Sequence, residues 1–197
     1  TSPSRPRACN SPRTKLVYLA NPNNPTGTWY SADLFEAFIA SVPADVIVVV
    51  DEAYAEFTNA PDYASALPLV TRHPNLVVTR TFSKAYALAG LRVGFAVADE
   101  GLIAVMERVR ESFNVNALGL VAAEAALADV DHLRASIAGN GAQREALAEA
   151  LRGLKRIVAR LHRRAVEVRR IEARERGKEA VVAEQVELQA VVLAFAL

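Results

Sequence analysis

Four short segments of this 197-residue chain carry side chains whose types and spacing could do chemistry. In order they are NPNNPTG (21–27), DEAY (51–54), TFSK (81–84) and GLRVG (90–94). Taken singly, each has a plainer reading. Asn, Pro and Gly are what tight turns use. An Asp at the end of a strand often caps the next helix. A Ser-Lys pair is commonplace. The ordered set is much harder to obtain by chance. It supplies a primary amine (Lys84), a carboxylate (Asp51), a phenol (Tyr54), an amide (Asn24), two hydroxyls (Thr81 and Ser83) and a guanidinium (Arg92). Such a set combines a nucleophilic amine, an anionic partner for a cationic ring, and a clamp for an anion.

Those are the requirements of pyridoxal 5′-phosphate (PLP). The cofactor needs a lysine amine for a Schiff base, a partner for its ring nitrogen and an anion site for its phosphate. Lys84 supplies the amine, and burial beside a cationic ring favours its neutral, nucleophilic form. Asp51 keeps the pyridine nitrogen protonated, which makes the ring an electron sink. Tyr54 offers its hydroxyl to the ring oxygen, and Asn24 an amide hydrogen to the same oxygen. Thr81 and Ser83 flank the lysine with hydroxyls for the phosphate, to which Arg92 adds a planar fork.

These groups need a scaffold that brings four segments to one edge. LVYLA (16–20) is a short apolar run ending in the turn-rich NPNNPTG. The helical spacing of Leu34, Phe35, Phe38, Ile39 and Val42 predicts a helix over 31–42, with Ser31 placed to cap it. DVIVVVDEAY (45–54) is a continuous β-branched run, which predicts a strand buried on both faces. LPLVTRH (67–73) reads as a short helix. Strands are predicted at 75–84 and 92–98, and helices at 100–113, 116–130 and 132–154. Alternating strands and helices indicate an α/β domain with a mainly parallel sheet. Asp51 then lies at the carboxyl edge of the sheet, where such sheets bind ligands.

YLANPNNPTG (18–27), VVVDEAYAEF (48–57), RTFSKAYALAGLRVGFAVA (80–98) and ESFNVNALG (111–119) resemble the fold-type I PLP-dependent aminotransferases of class I/II. TFSKAYALAGLRVG and FNVN point to the histidinol-phosphate branch of that family. The resemblance implies the large-domain core of the fold-type I architecture, incomplete here, with a helical C-terminal part. It implies that Lys84 is the Schiff-base lysine and Asp51 the ring-nitrogen partner. Tyr54 and Asn24 would contact the ring oxygen, and Thr81, Ser83 and Arg92 would hold the phosphate. It further implies amino transfer between histidinol phosphate and 2-oxoglutarate or glutamate, in a cytoplasmic homodimer of histidine biosynthesis. Other PLP reactions stay open at this point, such as an aromatic aminotransferase or a phosphothreonine-type decarboxylase, as does a non-catalytic remnant.

The resemblance covers about 15–154. We expect a disordered, non-matching start at 1–14, a PLP-binding α/β core at 15–130, the start of a small domain at 131–154 and a basic, non-matching tail at 155–197. Residues 1–15 hold Arg5, Arg7, Arg13 and Lys15 and no acidic side chain, and eight Arg fall between 156 and 176. Basic ends can mean a nucleic-acid tail. A truncated gene or an out-of-frame reading accounts better for a resemblance that stops abruptly at both ends, and such a chain is expected to be a poor aminotransferase. The apolar end at 186–197 reads as a strand.

Composition narrows the remaining classes. Hydrophobic residues make up 52% and charged residues 23%, with a formal net charge of +1, which permits a sizeable core and excludes global disorder. One cysteine, Cys9, excludes an internal disulfide framework. His73, His132 and His162 lack metal-ligand spacing, so no metal is expected. No apolar run approaches the ~20 residues of a membrane span. Trp29, Tyr30 and Tyr86 read as packing residues, and Gly90 and Gly94 as sites of close backbone approach around Arg92.

Overall fold

The computed structural model describes residues 13–152. Four strands, β1 (Leu16–Ala20), β2 (Ile47–Asp51), β3 (Leu76–Thr81) and β4 (Gly94–Ala98), form one sheet in the order β1-β2-β3-β4. The first three run parallel, and β4 is antiparallel to β3. Parallel neighbours need a crossover. Helix α1 (Ala32–Ser41) makes the one from β1 to β2. The connection from β2 to β3 holds only short 3-10 turns at Ala55–Phe57 and Leu67–Leu69, so the helix expected at 67–73 is one such turn. The β3–β4 connection has no helix to carry it across the sheet, and the chain returns antiparallel.

Strand alternation sends successive side chains to opposite faces. On one face Val48, Val50, Leu76 and Val78 meet Phe35, Phe38 and Ile39 of α1, together with Leu69 and Val70. On the other, Val77, Ala96 and Ala98 pack on Ile103 of α2 (Glu100–Val109). Burial is uneven. Val48, Val50 and Val78 are wholly buried. Ile47 and Val49 are only half-buried, and Leu16 and Tyr18 of β1 are exposed, so the double-sided burial expected for β2 is complete on the α1 face alone. A one-residue slip of β2 would exchange these two sets.

A third cluster joins Phe82 and Val93, on either side of the β3–β4 connection, to Ala123 of α3 (Ala117–Ala128). The Phe82 ring lies 5.0 Å from Tyr86 and 5.7 Å from Phe95, centre to centre. Helix starts are fixed by side chains where the sequence allows. Asp99 accepts from the Gly101 N–H at 2.8 Å, and Asn116 from the Gly119 N–H at 2.7 Å. Ser31 occupies the cap position of α1 without a side-chain bond. Helix α4 runs Val130–Arg152. The chain divides into two compact units at Ile137/Ala138, so the residues of α4 from Ala138 onward belong to the second. The readings made for 1–12 and 153–197 lie outside the described residues. Among the described residues no helix is long and apolar enough to cross a membrane.

Candidate functional site

The carboxyl ends of β1, β2 and β3 lie side by side and feed three of the four motif segments. Beyond β1, the Asn21 N–H donates to the Asp51 carbonyl at 2.9 Å, which continues the ladder by one bond. Asn21 is buried. Its Oδ1 accepts from the Tyr30 N–H at 2.9 Å, and its carbonyl accepts from the Tyr63 hydroxyl at 3.1 Å. The NPNNPTG turn closes on itself through Gly27 N–H to Asn23 carbonyl at 2.8 Å and Thr26 hydroxyl to Asn23 Oδ1 at 3.0 Å. Gly27 has φ +66°, a conformation that favours glycine. The turn thereby presents Asn24, whose Nδ2 donates to the Tyr54 hydroxyl at 3.2 Å.

Tyr54 in turn faces the lysine. Lys84 is exposed, so the burial expected for it is not found, and its Nζ stands 5.4 Å from the centre of the Tyr54 ring, a cation–π separation. Asp51 is near enough for the Lys84 charge to act on it. Burial pushes the Asp51 carboxyl above the usual carboxylate range, while the Ala53 N–H, bonded to Oδ1 at 2.9 Å, and the Lys84 charge pull it back. Asn24, Tyr54, Lys84 and Asp51 therefore form one constellation. Thr81 and Ser83 are joined locally: the Ser83 N–H donates to Thr81 Oγ1 at 3.0 Å. Arg92 adopts a left-handed conformation, φ 57°, two residues before Gly94, which pairs with Thr81. Its guanidinium donates to the Ala89 carbonyl at 2.8 Å.

The two glycines around Arg92 differ. A Cβ on Gly94 would stand 2.8 Å from the Arg80 carbonyl, so a close approach requires glycine there. A Cβ on Gly90 would meet nothing within 4 Å, so the close approach expected at that position is absent.

Sequence reasoning passed over the strongest polar cluster. Asp51 and Glu52 are neighbours and point to opposite faces. Glu52 is wholly buried. One of its oxygens accepts from the Ala66 N–H at 2.5 Å. The other accepts from the Ser65 hydroxyl at 2.7 Å and from Arg80 Nε at 2.9 Å; Arg80 Nη2 pairs with the same oxygen at 2.7 Å and donates to the Ser65 hydroxyl oxygen at 3.0 Å. Arg80 Nη1 donates to Glu56 at 2.7 Å. Tyr63 sits against this cluster, and burial beside Glu52 pushes its hydroxyl well above the usual tyrosine range. The available signal was a charged residue, Arg80, near the end of a strand that opens on the apolar run Leu76, Val77 and Val78. Among the described residues no group of acidic, His or Cys side chains could hold a metal.

The chain is similar to known proteins over the same stretch. The family model of aminotransferases of class I and II matches residues 5–170. A histidinol-phosphate aminotransferase of Nitrosococcus oceani is 56% identical over 130 residues, 66% of this chain and 35% of that protein. One from Pseudomonas aeruginosa is 55% identical over 124 residues, 63% of this chain and 34% of that protein. The chain thus spans about a third of the length of these curated relatives. Among solved structures, the histidinol-phosphate aminotransferase of Sinorhizobium meliloti in complex with pyridoxal-5′-phosphate is 39% identical with a TM-score of 0.61, covering 66% of this chain and 36% of that one. The L-threonine-O-3-phosphate decarboxylase of Porphyromonas gingivalis is 28% identical with a TM-score of 0.56, covering 60% and 36%. A mostly parallel sheet, an Asn-Asp-Tyr-Lys constellation at its carboxyl edge and a family match over most of the length agree: this chain belongs to the class I and II aminotransferases.

Proposed function

We propose that this chain carries the cofactor-binding core of a PLP-dependent aminotransferase of the histidinol-phosphate type. The observation that carries the reading is the chain of contacts from Asn24 to Tyr54 to Lys84, with Asp51 beside it, at the carboxyl edge of the sheet. The residues fit the group. Among the described residues Lys84 Nζ has no hydrogen bond or ion pair, so its amine is available for a covalent link, and a half-buried carboxylate stands ready for a cationic nitrogen. When bound, PLP supplies an electron sink that stabilises negative charge at the substrate α-carbon.

The protein's share is positioning and proton handling. Asp51 would hold the ring-nitrogen proton. Tyr54 and Asn24 would donate toward the ring oxygen, and Thr81, Ser83 and Arg92 would hold the phosphate. The Lys84 amine would take the proton from the substrate α-carbon and return it. On this reading residues 15–130 would be the cofactor-binding core and 131–154 the start of a second domain, while the compact units part a little later, at Ile137/Ala138. The substrates are histidinol phosphate and 2-oxoglutarate, and the working form is a cytoplasmic homodimer. Relatives above 50% identity carry the histidinol-phosphate name, which favours this reading over the decarboxylase likeness at 28%.

Borohydride reduction of the PLP-loaded chain, followed by peptide mapping, tests the site. The sequence has four lysines, Lys15, Lys84, Lys155 and Lys178. We expect the label on Lys84. Label elsewhere with Lys84 free would overturn the assignment. Glutamate formation from 2-oxoglutarate, supported by histidinol phosphate but not by phosphothreonine, tests the substrate.

A further inference from the structure

The geometry points to Arg80 as the positioning residue that sets Tyr54 against Lys84, through a two-armed clamp on Glu52 and Glu56. This inference rests on the site reading above and concerns how that site is held together.

Tyr54 sits on a turn that strand pairing does not constrain. It stands at the cap of the 3-10 turn Ala55–Phe57, past the end of β2. The two acidic residues that bracket it, Glu52 and Glu56, both reach Arg80. They meet one guanidinium: Nε and Nη2 hold Glu52 at 2.9 and 2.7 Å, and Nη1 holds Glu56 at 2.7 Å. Arg80 lies on β3, immediately before Thr81 and four residues before Lys84. One rigid planar group therefore ties both sides of Tyr54 to the strand that delivers the lysine. Ser65 and the Ala66 N–H lock the Glu52 arm from the following loop.

The choice of residue follows from the geometry. A guanidinium has donors on three nitrogens in a fixed fork and can engage two carboxylates at once, whereas an ammonium is a point charge on a flexible stem. The cluster is buried, with side-chain exposures of 14% for Arg80, 0% for Glu52 and 10% for Glu56. Buried ion pairs are weak evidence for stability, because desolvation offsets their attraction. Their better-attested use is to specify one arrangement. Here that arrangement is the 5.4 Å approach of Lys84 Nζ to the Tyr54 ring.

The test compares the full chain with Arg80→Lys, Glu56→Ala and Glu56→Gln by two readouts. The first needs no cofactor: the rate at which a small acylating reagent labels Lys84, with Lys15, paired to Asp45 far along the sheet, as internal reference. The second is the rate of PLP loss from the loaded chain after dilution. Glu56→Ala and Arg80→Lys are expected to raise Lys84 labelling several-fold relative to Lys15. They should speed PLP loss about tenfold, in line with the effect of other residues that orient ligating groups. Glu56→Gln, which still accepts from Nη1, should restore most of both. Variants that lower the melting midpoint yet leave Lys84 labelling and PLP loss at parental values would overturn the proposal, since that is what a merely structural pair would do. If Arg80→Lys does not fold, the Glu56 pair decides alone. If the parent chain links no PLP to Lys84, the cofactor reading falls, and the labelling comparison still decides the clamp.

Discussion

Asp51 carries a conflict that its neighbours only partly resolve. Burial disfavours its charged form, the Ala53 N–H and Lys84 favour it, and the balance leaves the pKa raised. A raised folded pKa means that the folded chain keeps a proton the unfolded chain releases. The contribution of Asp51 to stability is then complete below its unfolded pKa and is lost as pH climbs through the folded value. Asp51→Asn removes that loss. The cofactor-free variant should melt higher than the parent at neutral pH and no higher in acid, and calorimetry across that range checks it. On the proposed assignment the same variant should lose transamination by several orders of magnitude in an active enzyme, because the ring nitrogen would lose its anionic partner. Tyr54→Phe is a milder change. It removes the acceptor that Asn24 reaches at 3.2 Å and keeps the ring beneath Lys84. We expect weaker cofactor retention with the melting midpoint nearly unchanged, read by dialysis and thermal denaturation.

Among the elements, β3 and β4 show how tightly the lysine segment is built. Gly94 faces Thr81 across the pair, and a Cβ there would press on the Arg80 carbonyl at 2.8 Å. Gly94→Ala should cost about 1–3 kcal/mol, the range for overpacked sites, and denaturant titration measures it. Asn116→Ala removes the cap of α3 and also the 3.1 Å bond from Asn116 Nδ2 to the Leu91 carbonyl. A loss of about 1 kcal/mol is expected from the cap alone. The elements themselves were legible where one local pattern dominates. VIVVV declares a strand, and Phe35, Phe38 and Ile39 declare the buried side of α1. The antiparallel turn of β4 was not legible, because the direction of a strand depends on its connection and not on its own residues. Nor was the Arg80–Glu52 pair, which spans 28 positions and exists only through the register of β2 on β3. The candidate site residues could be proposed from the sequence because four turn and strand-end motifs keep their order along the chain; the contact of Asn24 with Tyr54, and of Tyr54 with Lys84, is what the structure adds. The motif named Arg92 but not the bond its guanidinium makes to the Ala89 carbonyl three residues earlier, which depends on the left-handed backbone at Arg92.

At the level of the whole molecule, apolar surface is the notable quantity. Phe113 is 99% exposed, and Leu118 and Val121 of α3 are 76% and 67% exposed. Leu118 and Val121 lie three apart and share a helix face. Exposed apolar groups in that number bind hydrophobic dyes and promote association. Leu118→Lys combined with Val121→Lys should lower dye fluorescence and raise solubility, without loss of helical circular dichroism. An unchanged dye signal would place the sticky surface elsewhere.

The antiparallel return of β4 also bears on how the fold assembles. β3 and β4 are joined by the short stretch that contains Ser83, Lys84 and the Ala89–Leu91 turn, so their pairing closes a small loop. The parallel pairs β1·β2 and β2·β3 close loops about twice as long. Loop-closure entropy and contact order favour the local pairing. The lysine should therefore find its ribbon first, and the Asp51 edge should be completed when β2 docks. In a refolding experiment read by pulsed hydrogen exchange, the amides of β3 and β4 should gain protection ahead of those of β1 and β2. The amine would then be in place before its carboxylate neighbour, and newly made chains would meet free aldehyde cofactor with half of the cradle still forming.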